Sequence, residues 1–264
     1  MKIGVCLKQV PATDSRIKIN ESQTGIVTDE IKWEVNPYDE FALEAALQLK
    51  EQGKASEVIV FSMGGDDVEA RIKDGLARGA DTAVRLHDEA FVGSDSLGVA
   101  RVLAAAAAKA EVGLLLCGKQ AVDNDCAQVP GMTAEFLGWP QAVDISHLEL
   151  DGETISAHRD VGGGKKFSLQ ASLPAVLSCD KGMNTPRFAS LKGIMMAKRK
   201  PITVWGAADL GLDASKVGAA GAVVQESQFA PPPQRPAGRI IEGESVSQKV
   251  DELVRLLREE AKVL

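Results

Sequence analysis

Clustered metal-ligating and nucleophilic residues are missing from this sequence. Its four cysteines, Cys6, Cys117, Cys126 and Cys179, are far apart and form no Cys-x-x-Cys pair. His87, His147 and His158 are scattered, so neither a zinc site nor a catalytic triad is indicated. No Gly-x-Ser-x-Gly elbow occurs, and no P-loop stands beside Asp123 and Asp125 to make them magnesium ligands. Gly162-Gly163-Gly164 is followed by the strand pattern Lys165–Leu169 rather than by a helix, so it reads as a turn and not as a dinucleotide fingerprint. A formal net charge of −7 leaves no basic footprint for nucleic acid. No apolar run reaches spanning length, and no cleavable signal or Arg-rich presequence precedes the first strand pattern, so no membrane insertion is expected and the expected location is cytoplasmic.

What is present is the balance of an ordinary globular chain, 45% hydrophobic and 25% charged over 264 residues, enough for one main core. Ile3–Val10, Val58–Met63, Thr82–Leu86 and Gly113–Cys117 read as strands. Between them Tyr38–Lys50, Asp66–Arg78 and Ser94–Ala110 place apolar residues at helical spacing, with Gly53 and Gly79 at the stops. A further helix is predicted from about Cys126 to Leu137, capped by Asp125. This alternation predicts an α/β fold with a doubly wound, mostly parallel sheet. Around the Asp151-Gly152 turn, His147–Leu150 and Thr154–His158 read as a hairpin that adds antiparallel strands. From Gly206 to Gly238 the Gly, Ala and Pro content predicts an extended arm, and Ser247–Leu264 an amphipathic helix with Val250, Leu253, Val254, Leu257, Ala261 and Leu264 on one stripe. The expected division is 1–205 for the α/β domain and 206–264 for the arm and helix. The helix packs either on its own domain or on a second subunit.

The most site-like stretch is Gly118-Lys119-Gln120-Ala121-Val122-Asp123-Asn124-Asp125, which follows a buried-looking strand and precedes a helix. That is where α/β sheets bind ligands, and helix amides with Gln120, Asn124 and Gln128 suit phosphate and sugar. A polar loop with a capping Asp125 explains the same residues. Asn36-Pro37-Tyr38-Asp39-Glu40 combines a turn, a proline near the first helical position and acids in the first turn. Tyr38, the single tyrosine, either packs in the core or lies against a flat ring.

Three segments in order carry a family resemblance: VNPYDEFALEAA (35–46), GKQAVDNDCAQVPGMTAEFLGWP (118–140) and NTPRFASLKGIMMAKRK (184–200). The chain resembles the β subunit of electron transfer flavoprotein over nearly its whole length. The resemblance implies a nucleotide α-hydrolase-like fold and pairing with a larger α subunit whose mobile domain carries the redox-active FAD. It implies a structural AMP in the 1–205 domain, contacted by Cys6, Asn36, Pro37, Tyr38, Asp39, Met63, Gly118, Lys119, Gln120, Ala121, Val122, Asp123, Asn124, Asp125, Cys126, Ala127, Gln128 and Val129. Tyr38 falls where the family packs an aromatic near the α-subunit flavin. Leu191, with Ile194 and Met195, falls in the loop that docks on acyl-CoA and related dehydrogenases, the enzymes of fatty acid oxidation. Asp160 falls at an acidic position tied to the swing of the flavin domain. Electrons would pass on to electron transfer flavoprotein ubiquinone oxidoreductase, with no catalytic residue or metal and no turnover by this chain itself.

Two departures limit the carry-over. Ala127 and Val129 stand where better-known relatives have Asn and Thr beside the phosphate, and Met196 and Arg199 where some relatives carry methylatable lysines. The alternatives are a bifurcating flavoprotein β subunit holding a second FAD, an enzyme of the same architecture that cleaves ATP at its α-phosphate, and a self-dimerising nucleotide-binding module. The second needs a Ser-Gly-Gly-x-Asp-Ser-like loop after the first strand, where this chain has Lys8-Gln9-Val10-Pro11.

Overall fold

A computed structural model describes residues 1–235 and 237–264. Two compact units are separable, Met1–Gln228 and Phe229–Leu264. In the larger, the strands in chain order are β1 (Lys2–Cys6), β2 (Gln9–Pro11), β3 (Trp33–Val35), β4 (Glu57–Met63), β5 (Thr82–Leu86), β6 (Val112–Gly118), β7 (Gln141–Asp151), β8 (Thr154–Asp160), β9 (Lys166–Ser172), β10 (Ala175–Cys179) and β11 (Thr203–Trp205). Its helices are α1 (Pro37–Glu51), α2 (Glu69–Arg78), α3 (Ser96–Lys109), α4 (Val129–Leu137), α5 (Leu191–Ala197) and the short α6 (Gly218–Gly221).

Nine strands form one sheet in the order β11-β5-β4-β1-β6-β10-β7-β8-β9. Pairing is parallel from β11 to β7 and antiparallel through β7, β8 and β9. Chain order runs one way from β1 through β4 to β5 and the other way through β6, so the topological switch lies between β1 and β6. Helices cover both faces. Ile3, Val5, Leu114 and Leu116 join the apolar sides of α1 and α2, while Ile59, Phe61, Leu115 and Cys117 join α3 and α4. The predicted doubly wound, mostly parallel sheet with antiparallel additions is what forms.

Local chemistry sets the element ends. Pro37 opens α1 with Asp39 and Glu40 in its first turn, and Gly53 follows its end in a left-handed conformation. Asp95 caps α3 by accepting from the Gly98 N–H at 2.9 Å.

Several boundaries differ from expectation. Ile3–Val10 is two strands, because β1 ends at Cys6 and β2 leaves the main sheet to pair antiparallel with β3. The helix expected from Cys126 begins at Val129, and Asp125 does not cap it. Asp125 and Ala127 both sit at positive φ (52° and 53°), so 125–128 is a twisted loop rather than a first turn. The residues after β11 are not all extended. Ala207 and Val217 are buried in the second core cluster, and the larger unit reaches Gln228.

The smaller unit carries α7 (Val246–Glu259), capped by Ser245 accepting from the Gln248 N–H at 3.3 Å. Within it Leu256, which lies off the expected stripe, lines a cavity with Arg239, Ile240 and Ile241, and Arg239 pairs with Glu260 at 3.2 Å. The stripe residues Val250 and Leu253 are exposed, as is Val246. Among the described residues no helix is long and apolar enough to cross a membrane.

Candidate functional site

The loops that leave the carboxyl ends of β1 and β6 are tied to the start of α1 by two buried side chains. Asp39, in the first turn of α1, accepts from the Lys8 N–H at 2.7 Å, the Gly118 N–H at 3.0 Å and the Asn36 amide at 2.9 Å. Asn36 in turn donates to the Gln120 carbonyl at 2.9 Å and accepts from the Val122 N–H at 3.1 Å. One Asn and one Asp thus bridge the switch point and fix the path of 118–122. Burial pushes the Asp39 carboxyl up to about 7, against the lowering effect of the three N–H donors and of the Lys8 charge. Gly118 is required there, since a Cβ would meet Asp39 Oδ1 and would lie 2.7 Å from Tyr38 Cβ and 2.8 Å from the Asp39 nitrogen.

The predicted nucleotide-site residues therefore converge. Cys6 ends β1, Met63 ends β4 beside it, and Asn36, Pro37, Tyr38 and Asp39 meet Gly118, Lys119, Gln120, Ala121 and Val122 across the switch. Beyond Val122 the segment 123–128 is exposed, with Gln120 donating to Asp125 at 2.6 Å and the Cys126 N–H donating to Asn124 at 3.2 Å. Asp125 and Ala127 are left-handed on either side of Cys126; the Asp125 N–H donates to the Ala121 carbonyl at 2.8 Å and the Cys126 N–H to Asn124, so the N–H groups that could meet an anion are those from Ala127 into the start of α4. Tyr38 is half-buried in the first turn of α1, not on a loop. Positive charge near the loop is already balanced: Lys8 pairs with Asp123 at 2.7 Å, and Lys119 with Asp144 at 2.7 Å and Asp180 at 3.3 Å. The Asp144 hydrogen bond raises the Lys119 pKa further. An anion here must rely on N–H groups and on neutral side chains such as Gln128. Cys6 and Cys179 are held as thiols, Cys6 mainly by its hydrogen bond with Cys117 and Cys179 by burial.

The second predicted site is elsewhere. Leu191 opens α5 and is 83% exposed, with Phe188 94% exposed just before it and Met195 and Ile194 exposed on the next turn. Ser190 caps this helix by accepting from the Gly193 N–H at 3.0 Å. Asp160 is not brought to this patch. It ends β8 near the far side of the sheet, paired with Lys166 at 3.5 Å, whereas α5 packs on α2 over β4 and β5.

The electron transfer flavoprotein domain family matches residues 24–210, which include Asn36–Asp39, the 118–129 loop and the Leu191 patch but not Cys6 and Lys8. The chain is 40% identical over 256 residues to the electron transfer flavoprotein subunit beta of Bos taurus, covering 96% of this chain and 97% of that protein. It is 37% identical to the subunit of the same name in Bradyrhizobium diazoefficiens over the full length of both. It is also 35% identical, over 98% of each chain, to subunit CarD of the caffeyl-CoA reductase–Etf complex of Acetobacterium woodii. The chain belongs to the electron transfer flavoprotein β subunit family. The family's role is electron transfer.

Sequence reasoning missed the residues that hold this family member's loops in place. Lys8, Asp144 and Asp180 balance the charges of the first site, and Arg187 anchors the second by a fork onto Glu44 and Glu51 of α1. Glu44 offered a signal. It is a charged residue among the buried Ala42, Leu43, Ala45 and Ala46, and a buried carboxylate needs a partner.

Proposed function

We propose that this chain is the β subunit of a heterodimeric electron carrier: it binds AMP structurally, pairs with a larger α subunit that holds most of the FAD, and docks on acyl-CoA and related dehydrogenases. The observation that carries the reading is the Asn36–Asp39 bridge across the β1/β6 switch, which shapes the 118–122 backbone before any ligand arrives. AMP fits this arrangement. Gly118 lets the end of β6 close onto the first turn of α1, the backbone N–H groups of 127–129 at the start of α4 face the phosphate, and Gln120, Asn124 and Gln128 supply neutral hydrogen bonds to phosphate and ribose.

The flavin supplies the redox chemistry when bound. This chain contributes a rigid nucleotide-bearing platform, Tyr38 near the flavin, Asp160 toward the swinging domain, and a docking surface centred on Leu191 with Ile194 and Met195. Exposed Leu and Met side chains suit adaptation to several dehydrogenases and to a ubiquinone oxidoreductase downstream. The exposed side of α7, with Val246, Val250 and Leu253, supports packing on the α subunit. Four free thiols favour a reducing compartment, which we take to be the cytoplasm.

The deciding experiment is to express the chain with and without an α subunit and count nucleotides. The chain alone is expected to be colourless and inactive, and the complex to carry one FAD and one AMP. Two FAD and no AMP per complex would replace this reading with a bifurcating subunit. A yellow, dye-reducing chain purified alone would refute the division of labour.

A further inference from the structure

The segment that presents Phe188 and Leu191 is fastened to the body of the protein at three points. Arg187 makes two bonds to Glu44 through its guanidinium, at 2.8 and 3.0 Å, and a third through its own N–H at 3.2 Å. The same guanidinium reaches Glu51, about two turns further along α1, at 2.5 and 3.0 Å. Glu44 is buried, so this is a fork with a desolvated carboxylate rather than a surface pair. Asn184 donates to the Phe41 carbonyl at 2.9 Å just upstream. Downstream, Gly193 lies so close to the Ala77 carbonyl that a Cβ would collide with it, and Lys200 donates to the Ala80 carbonyl at 2.6 Å. Between these fastenings the exposed side chains include a run of apolar ones, Phe188, Leu191, Ile194, Met195 and Met196, with the cationic Lys192, Lys198 and Arg199 beside them. A loop with no presentational task has no need of a buried carboxylate to orient its backbone.

We infer that Arg187, clamped by Glu44 and Glu51 of α1, is a positioning residue that holds Phe188 and Leu191 in the pose used for docking on a dehydrogenase. The inference rests on the docking reading given above. Its physical content is pre-organisation. With the clamp in place the loop is ordered before the partner arrives, and without it the ordering cost falls on the docking step.

Arg187→Ala alone would leave Glu44 buried and unpaired, so loss of folding would mask any effect on docking. The test therefore uses the double variant Arg187→Met/Glu44→Leu, in which both charges are replaced by apolar groups, in the complete αβ complex. An acyl-CoA dehydrogenase is the electron donor and the carrier concentration is varied. The expected result is a melting temperature near wild type, an unchanged limiting rate, and a KM for the carrier raised about three- to tenfold, the range set by ordering a few side chains at docking. Hydrogen exchange at the Gly193 and Ile194 amides should quicken at the same time. A wild-type KM in a double variant whose exchange has quickened would overturn the inference, and so would unchanged exchange. Leu191→Ala separates the two readings. If it leaves KM unchanged the docking reading fails, while exchange in the double variant still decides whether Arg187 orders the loop.

Discussion

Replacing Asp39 by Asn should remove a pH dependence of stability that runs from about pH 4 up to about pH 7. Burial raises the Asp39 carboxyl to about 7 in the folded chain, whereas in an unfolded chain it titrates near the ordinary aspartate value of about 3.9. Between those values the folded state holds a proton that the unfolded state has released. Stability is therefore fully present below the lower value, declines as pH rises through the window, and levels off above about 7. The slope from this one group approaches about 1.4 kcal/mol per pH unit. Asn keeps an acceptor for the Gly118 N–H and the Asn36 amide, both of which bond Oδ1, but turns an NH₂ toward the Lys8 N–H that Oδ2 now receives. One mismatched buried donor costs roughly 1–3 kcal/mol, so Asp39→Asn should be less stable than wild type at pH 5. The gap should narrow or reverse by pH 8, because only the wild type loses stability on the way. Denaturant unfolding of both chains at pH 5, 6, 7 and 8 measures this, and taking the difference cancels the titrations they share. A difference independent of pH would refute the argument and show that the three N–H donors outweigh burial and keep Asp39 ionised throughout.

Gly118→Ala should cost about 1–3 kcal/mol or more, since the new methyl meets the Asp39 carboxylate and the backbone of α1, neither of which can swing away; AMP retention in the complex should fall with it, and a wild-type melting curve would disprove the close approach. Leu191→Ala should weaken docking at least about tenfold, as expected for a central anchor worth about 2 kcal/mol, with flavin content and melting temperature unchanged because the side chain is exposed. Flavin reduction by an acyl-CoA dehydrogenase over a range of carrier concentrations reads this directly, and unchanged kinetics would remove the anchor. Truncation from Gly238 onward should weaken assembly with the α subunit while leaving the unfolding of Met1–Gln228 cooperative; full co-purification of the shortened chain would show that α7 serves its own chain only.

The α/β fold could be read from the sequence because its signals are local. A buried parallel strand is a short apolar run, a covering helix repeats its apolar residues at helical spacing, and glycines mark the ends, as at Gly53 and Gly79. The order of strands was less accessible, because nothing local tells β10 to enter between β6 and β7. Asp125 shows how a local signal misleads. An Asp ahead of an apolar helical pattern is a reasonable cap, yet Asp125 and Ala127 adopt left-handed conformations and delay the helix to Val129. That cost in backbone strain is the kind of exception expected where a loop is shaped for a ligand rather than for a helix start. Ile3–Val10 misled for a related reason: β1 ends at Cys6, and the chain crosses to a separate ribbon at Gln9.

The candidate sites divide along the same line. The residues proposed for the nucleotide lie mostly in two polar segments, 36–39 and 118–129, but the bonds that join them span 79 to 86 residues of sequence, and only the fold brings their ends together. The same holds for Arg187 and Glu44, which are 143 residues apart. What the sequence did carry was one half of each pair: Asn36 and Asp39, whose turn and helix-start roles explained them locally and so hid their long-range bonds, and a glutamate on the buried side of α1. A polar residue that its own element cannot satisfy points to a partner from elsewhere in the chain, since burial without one would cost several kcal/mol. Here both such residues, Asp39 and Glu44, stand on α1, two turns or less apart on the helix that covers the β1/β6 switch. α1 is thus the element that couples the two sites: its first turn shapes the loop proposed for AMP, and its middle and last turns hold the loop proposed for docking.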